Sequence, residues 1–97
     1  MQSVKRIEII TDSLEMREVC RVLDRLAVSG YSIVRDVTGR GERGVQSGDE
    51  LSDVFKNSLL LTACPPERLD EIVNAIRPIL QRRGGVCLVS DALWVMH

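Results

Sequence analysis

Aromatic residues are scarce in this sequence, which holds one Tyr, one Phe and one Trp among 97 residues. RNA-binding sheets stack bases on several aromatic side chains, so this scarcity argues against nucleic-acid binding. The formal net charge of −1 argues the same way, because dedicated nucleic-acid binders carry a strong positive field. We expect Tyr31, Phe55 and Trp94 to lie in the core or at subunit contacts instead.

Histidine and cysteine are also too few, or too poorly placed, for the commonest catalytic and metal sites. The single histidine is His97, the last residue, where fraying makes a poor position for a general base. The three cysteines are far apart and lack CxxC or Cys/His spacing, which argues against a zinc site or a disulfide framework. We therefore expect no enzyme, no metal and no cofactor, with the cysteines as small core residues in a reduced compartment.

Long apolar runs are absent as well. No run approaches the roughly 18–20 residues that span a bilayer, so the chain is not expected to be embedded in a membrane. Residues 1–6 lead into a strand pattern instead of a signal-peptide core, which predicts a cytoplasmic location. A length of 97 residues predicts a single domain, residues 1–97, whose modest core would gain from assembly with further copies.

Periodicity predicts four strands and two helices. Alternating apolar residues place strands at 4–10, 31–38, 54–63 and 86–95, the last with a bend near Ser90 and Asp91 as an option. Helical spacing places one helix at 13–28, which Asp12 caps and Gly30 ends. A second helix follows, with Pro65-Pro66-Glu67 in its first turn and a kink or an early end at Pro78. The order predicts an α+β fold, a ferredoxin-like βαββαβ sandwich.

The segment after the second strand is rich in glycine and arginine. Gly39-Arg40-Gly41-Glu42-Arg43-Gly44 combines backbone that can turn its N–H groups toward a ligand with guanidinium groups that suit phosphate or carboxylate. The letters match GxGxxG, but the polar continuation lacks the helix that a dinucleotide fingerprint requires. We interpret residues 39–53 as a long β2–β3 loop that binds an anion and that is poorly ordered without a ligand.

The element order, the long loop and the motif at 38–44 together resemble the PII signal-transduction superfamily. The sequence is most similar to the PII-like proteins associated with bicarbonate transport and carboxysomes. Gly30-Tyr31-Ser32 at the start of the second strand and the Gly84-Gly85 turn before the last strand belong to the same resemblance. It covers nearly the whole chain.

The resemblance implies a homotrimer with nucleotide sites in the clefts between adjacent subunits. By position it assigns nucleotide or anion binding to the base of the long loop and to the double-glycine turn. These residues are Thr38, Gly39, Arg40, Gly41, Arg43, Gly84 and Gly85. Arg82 and Arg83, which precede the turn, are candidate phosphate partners by their proximity in sequence.

Three departures from the classical family pattern narrow the expected ligand. The modifiable loop tyrosine is missing from residues 39–53, no lysine follows Gly84-Gly85, and there is no C-terminal basic cluster. These departures disfavour 2-oxoglutarate-dependent ATP sensing and favour ADP or AMP. Bicarbonate is a second candidate ligand, since a small planar anion suits the same loop.

Two functions remain open at this point. The first is a signalling protein that binds an adenine nucleotide and presents its loop to a transporter or carboxysome-related partner in inorganic-carbon metabolism. The second is a ferredoxin-like metabolite-binding regulatory module of the amino-acid-binding type, without nucleotide binding, in which the loop is a plain connection. Arg40 and Arg43 favour the first function, because a plain connection needs no fixed positive charge.

Overall fold

The structure of this chain is a computed structural model that describes residues 1–38 and 57–97. The described elements are β1 (Gln2–Asp12), α1 (Ser13–Arg25), β2 (Tyr31–Val37), β3 (Asn57–Cys64), a 3-10 turn (Pro66–Arg68), α2 (Leu69–Arg83) and β4 (Val86–Trp94). The predicted ferredoxin-like βαββαβ order is confirmed. The predictions for the loop at 39–53, for Phe55 and for the first residues of the third strand lie outside the described residues.

The four described strands form one sheet in the order β2-β3-β1-β4. All neighbouring strands are antiparallel, and β1 lies between β3 and β4. Ile9 illustrates the register, since it lies opposite Leu60 on one side and opposite Cys87 on the other. β2 and β4 are therefore the two edges of the sheet.

Both helices cover one face of this sheet and form the core with it. β1 contributes alternate residues, Ile7 and Ile9, each with 0% of its surface exposed. The remaining buried apolar residues of this cluster come from α1, β3 and α2. They are Met16, Val19, Val22, Leu23, Leu60, Cys64, Ile72, Ile76 and Ile79.

The other face of the sheet, which we call the open face, is largely apolar, and none of the elements within residues 1–38 and 57–97 covers it. Two rows of cross-strand neighbours cross it: Val34, Leu59, Ile10 and Val86 in one row, and Ser32, Leu61, Glu8 and Leu88 in the next. Val34, Leu61, Val86 and Leu88 are 55%, 43%, 51% and 58% exposed. Contiguous exposed apolar surface of this kind is uncommon on monomeric proteins.

The predicted start of α1 is confirmed, whereas its predicted end is too late. Asp12 caps the helix, because its Oδ1 accepts a hydrogen bond of 2.8 Å from the backbone N–H of Glu15. The helix ends at Arg25, since Ala27 adopts a positive φ of 57° and turns the chain before Gly30 is reached.

The predicted early end of the second helix at Pro78 is wrong. α2 continues to Arg83, and Pro78 lies on its exposed side. The ring removes one backbone N–H, but Ile76 and Ile79 on either side of it are buried in the core. Packing of that apolar face therefore keeps the chain helical at Pro78, although one backbone hydrogen bond is missing there.

Two strands also differ from the prediction in detail. The alternation predicted for β2 is interrupted, because the register with β3 shifts between Val34 and Val37 and Asp36 adopts a positive φ of 58°. The bend considered near Ser90 and Asp91 is not observed. β4 pairs with β1 without a shift from Val86 to Trp94, and Trp94 is 53% exposed.

Candidate functional site

The Gly84-Gly85 turn between α2 and β4 has a backbone that only glycine adopts easily. The φ angles of Gly84 and Gly85 are 86° and 145°. The Gly84 N–H donates a 2.7 Å hydrogen bond to the carbonyl oxygen of Leu80, which ends the helix. A Cβ atom on Gly85 would come within 2.8 Å of the carbonyl oxygen of Ile10. The turn thus needs both glycines for its own geometry, whether or not it also binds a ligand.

Thr11 on β1 connects this turn to the centre of the sheet. Its hydroxyl donates a 3.1 Å hydrogen bond to the carbonyl oxygen of Gly84, and only 2% of the residue is exposed. Sequence reasoning missed this contact. The available signal was a hydroxyl residue at the next buried position after Ile7 and Ile9.

Arg82 and Arg83 reach from the end of α2 to the start of α1. Arg82 Nη2 lies 3.2 Å from Glu15 Oε2, and Arg83 Nη2 lies 3.4 Å from Asp12 Oδ2. The two arginine side chains are 57% and 53% exposed. The arginines predicted as phosphate partners therefore have carboxylate partners within the protein, and each guanidinium keeps further N–H donors at the surface.

The end of β2 lies at the same end of the sheet as the double-glycine turn. Val37 lies opposite Asn57, and Asn57 lies opposite Asp12, the last residue of β1. Thr38 follows directly and is exposed. The other loop residues assigned by the resemblance, Gly39, Arg40, Gly41 and Arg43, lie outside the described residues.

Thr38 and the double-glycine turn nevertheless leave opposite edges of the sheet. β2 and β4 are separated by β3 and β1, so three strand spacings, roughly 14 Å in all, lie between the two edges. One phosphate group, only a few ångströms wide, is too small to bridge that distance within a single sheet.

A groove of about 470 Å³ runs beside the turn, between α2 and β4. Its floor is apolar, with Ile76 and Leu80 among its residues, and Arg77 and Gln81 add polar groups at the rim. Cys87 also lines it, and burial raises the pKa of this thiol while nearby Arg77 acts in the opposite direction. A raised pKa favours the protonated thiol, the less nucleophilic form of cysteine.

The described residues contain neither a metal-binding cluster nor a membrane-spanning helix. In residues 1–38 and 57–97, no group of three or more His, Cys, Asp or Glu side chains could hold a metal ion. No helix within those ranges is both long enough and apolar enough to cross a membrane.

The fold and the turn define an α+β protein with a ferredoxin-like sheet, an apolar face that the described residues leave exposed, and an arginine-flanked double-glycine turn. The family model described as nitrogen regulatory protein P-II matches residues 4–96. The chain belongs to this family. No curated protein matches the sequence.

Solved structures of CPII, a nitrogen regulatory PII-like protein from Thiomonas intermedia, are similar to this chain. One, bound to ADP, AMP and bicarbonate, has a TM-score of 0.78 at 26% identity over 93% of this chain and 90% of that one. Another, bound to ADP and bicarbonate, has a TM-score of 0.77 at 28% identity, covering 93% and 86% of the two chains.

Proposed function

We propose that this protein is a non-catalytic, cytoplasmic signalling protein of the PII-like kind. It binds an adenine nucleotide, ADP or AMP, in clefts between its subunits, and it takes bicarbonate as a second ligand. Residues 39–53 then report the bound state to a transporter or carboxysome-related partner in inorganic-carbon metabolism.

The observation that best supports a binding site between subunits is the position of Thr38 relative to Gly84 and Gly85. These elements leave the same end of the sheet, but from opposite edges roughly 14 Å apart. An adjoining subunit that places its β2 edge near the β4 edge of the first one would bring the loop base of one chain to the turn of the other. This arrangement supports a site between subunits over a site within one chain.

Charge and backbone geometry favour a phosphate-bearing ligand at such a cleft. Arg82 and Arg83 lie beside a glycine turn, and the sequence places Arg40 and Arg43 among the glycines of the loop. Guanidinium groups next to open backbone N–H groups suit phosphate. The CPII structures with ADP, AMP and bicarbonate support the same ligand class, at 26–28% identity.

Assembly through the open face would complete this arrangement. Val34, Leu61, Val86 and Leu88 present apolar side chains to solvent in the single chain, and their burial would stabilise an oligomer by roughly 25 cal/mol per Å² of apolar surface removed from water. A closed homotrimer buries the same face on every copy.

Isothermal titration calorimetry with ADP, AMP, ATP, cyclic AMP and bicarbonate tests the proposal. We expect saturable binding of ADP or AMP with one site per subunit, and a change in that affinity when bicarbonate is present. Absence of binding for all nucleotides, at protein concentrations where the oligomer is intact, would contradict it. In that case the metabolite-binding alternative would be tested next, by titration with amino acids.

A further inference from the structure

The ion pairs at the start of α1 occupy the two arginines nearest the double-glycine turn. Glu15 and Asp12 each hold one guanidinium through one contact, at 3.2 Å and 3.4 Å. A bidentate arginine-carboxylate pair would have two parallel contacts and would be harder to displace. Both arginine side chains are more than half exposed, so an incoming anion can reach them.

Asp12 can lose its arginine without loss of the helix. Its Oδ1 accepts the capping hydrogen bond from the Glu15 N–H, whereas its Oδ2 faces Arg83. The two oxygens have separate partners, so the cap persists when the arginine turns away. Glu15 likewise lies in the first turn of α1, where a carboxylate is favoured by the helix dipole even without Arg82.

Phosphate and carboxylate compete for the same guanidinium donors, and their negative charges repel each other at short range. We propose that Asp12 and Glu15 hold Arg82 and Arg83 in a carboxylate-bound resting state, and that the phosphate groups of a nucleotide replace these carboxylates. The exchange rests on the proposed nucleotide-binding function. It makes the two carboxylates internal competitors that lower nucleotide affinity, and it couples ligand binding to the start of α1.

Charge-neutral replacements of the two carboxylates test this exchange. Asp12→Asn preserves the helix cap, because asparagine caps as well as aspartate does, and Glu15→Gln preserves the size of the side chain. The arginine of each pair is more than half exposed, whereas the side chains of Glu15 and Asp12 are 13% and 25% exposed, so each ion pair is only partly screened by solvent. We expect each variant to bind ADP about two- to fivefold more tightly than the wild type, and the double variant roughly tenfold. Calorimetric titration at fixed ionic strength measures the affinities.

Glu71→Gln is the matched control for net charge. Glu71 also forms an ion pair with an arginine, its Oε1 lying 2.9 Å from Arg68 Nη2, but it lies at the other end of α2 from Arg82. Ten helical residues lie between Glu71 and Arg82, which places the two about 16 Å apart along the axis. This variant changes the charge by the same amount and should leave ADP affinity at the wild-type value.

A double-mutant cycle distinguishes the exchange from a general effect of local charge. In an Arg82→Ala background the Glu15→Gln change should no longer raise affinity, because the guanidinium that the two anions share is gone. An undiminished gain in that background would overturn the exchange.

The remaining outcomes separate the exchange from the function on which it rests. Wild-type protein that binds ADP, together with Asp12→Asn and Glu15→Gln variants that bind it no better than Glu71→Gln, would overturn the exchange and leave the proposed function intact. Wild type and the Asp12→Asn/Glu15→Gln double variant both failing to bind any nucleotide would overturn the proposed function as well.

Discussion

The side chain of Thr11 donates a 3.1 Å hydrogen bond to the backbone carbonyl of Gly84. Thr11 is a buried residue of the central strand, whereas Gly84 belongs to the exposed end of the sheet where α2 stops. The hydrogen bond therefore ties the double-glycine turn to β1, one of the two inner strands of the sheet. Any ligand that uses backbone N–H groups of the turn depends on this positioning.

Thr11→Val should weaken this connection while it preserves side-chain shape. We expect the free energy of unfolding to fall by about 1 kcal/mol, the usual value of one such hydrogen bond, and ADP affinity to fall several-fold. Urea unfolding and calorimetry measure the two effects. Thr62→Val is the matched control, because Thr62 is also buried and donates to a backbone carbonyl, that of Gly30, at 2.6 Å. It should show a similar loss of stability with unchanged ADP affinity; equal losses of affinity in both variants would contradict the positioning role.

Gly85→Ala should destabilise the fold itself. Its Cβ would meet the carbonyl oxygen of Ile10 and the Cδ2 atom of Leu80, each at 2.8 Å, and a φ of 145° is strained for any L residue with a side chain. We expect urea unfolding to give a loss of about 2–4 kcal/mol. Gly30→Ala is the control, because a Cβ there meets nothing within 4 Å, and its effect should stay within about 0.5 kcal/mol.

Local signals predicted the features of the fold that depend on neighbouring residues. The cap formed by Asp12 follows from its spacing to Glu15, and the alternation of Ile7 and Ile9 follows from the pleat of a strand. The predicted end of α1 near residue 28 was too late, and the predicted early end of the second helix at Pro78 was wrong. The second helix continues past Pro78 because Ile76 and Ile79 pack into the core formed with other elements, whereas α1 ends in a local turn closed by backbone hydrogen bonds within residues 22–28.

The candidate site depended even more on long-range contacts. The sequence places Arg82 and Arg83 beside Gly84, but it does not reveal that Glu15 and Asp12 lie within 3.2–3.4 Å of them. These contacts exist because the order β2-β3-β1-β4 brings the start of α1 next to the end of α2. The same strand order puts Thr38 on the opposite edge, which the spacing in sequence does not disclose.

Tyr31 should titrate at an unusually high pH. Its hydroxyl donates a 3.0 Å hydrogen bond to Asp24 Oδ1, and this bond, with added contributions from burial and from Cys20, raises the pKa of Tyr31 to about 12. Since the folded state binds the phenolic proton more tightly than the unfolded state does, the added stability is fully present below pH 10 and is lost as the pH rises through about 12.

Tyr31 is the sole tyrosine of the chain, so tyrosinate absorbance reports its titration directly. Asp24→Ala should lower the midpoint toward the ordinary value, because it removes the largest cause of the shift. Glu18→Ala removes another carboxylate of α1, one that pairs with Arg21, and should leave the midpoint unchanged. A wild-type midpoint near the ordinary tyrosine value would show that the hydrogen bond to Asp24 does not persist in solution.

Leu88→Glu should disrupt assembly. Leu88 is 58% exposed on the open face of the single chain and lies opposite Glu8, so a second carboxylate there would be tolerated by a monomer but not by a dry interface. We expect light scattering to report a trimer for the wild type and a monomer for the variant at micromolar concentration, with folding retained. Leu14→Glu adds the same charge at a 66% exposed position on α1 and should remain trimeric. A monomeric wild type would contradict assembly through this face.

The final prediction concerns Arg43, which the resemblance assigns to the loop base. If its guanidinium contacts a nucleotide phosphate or bicarbonate, Arg43→Ala should weaken that ligand by about 1.5–3 kcal/mol, roughly ten- to a hundredfold, and leave fold and assembly unchanged. Arg40→Ala should matter less, because in an extended segment residues three apart point to opposite sides. Gly41→Val should block binding by occupying the space a phosphate needs. A solvated Arg43 would instead leave every affinity within about a factor of two. Titration of the wild type and the three variants with ADP and bicarbonate distinguishes a ligand-binding Arg43 from a solvated one. Unchanged binding in both Arg43→Ala and Gly41→Val would place the ligand away from this loop.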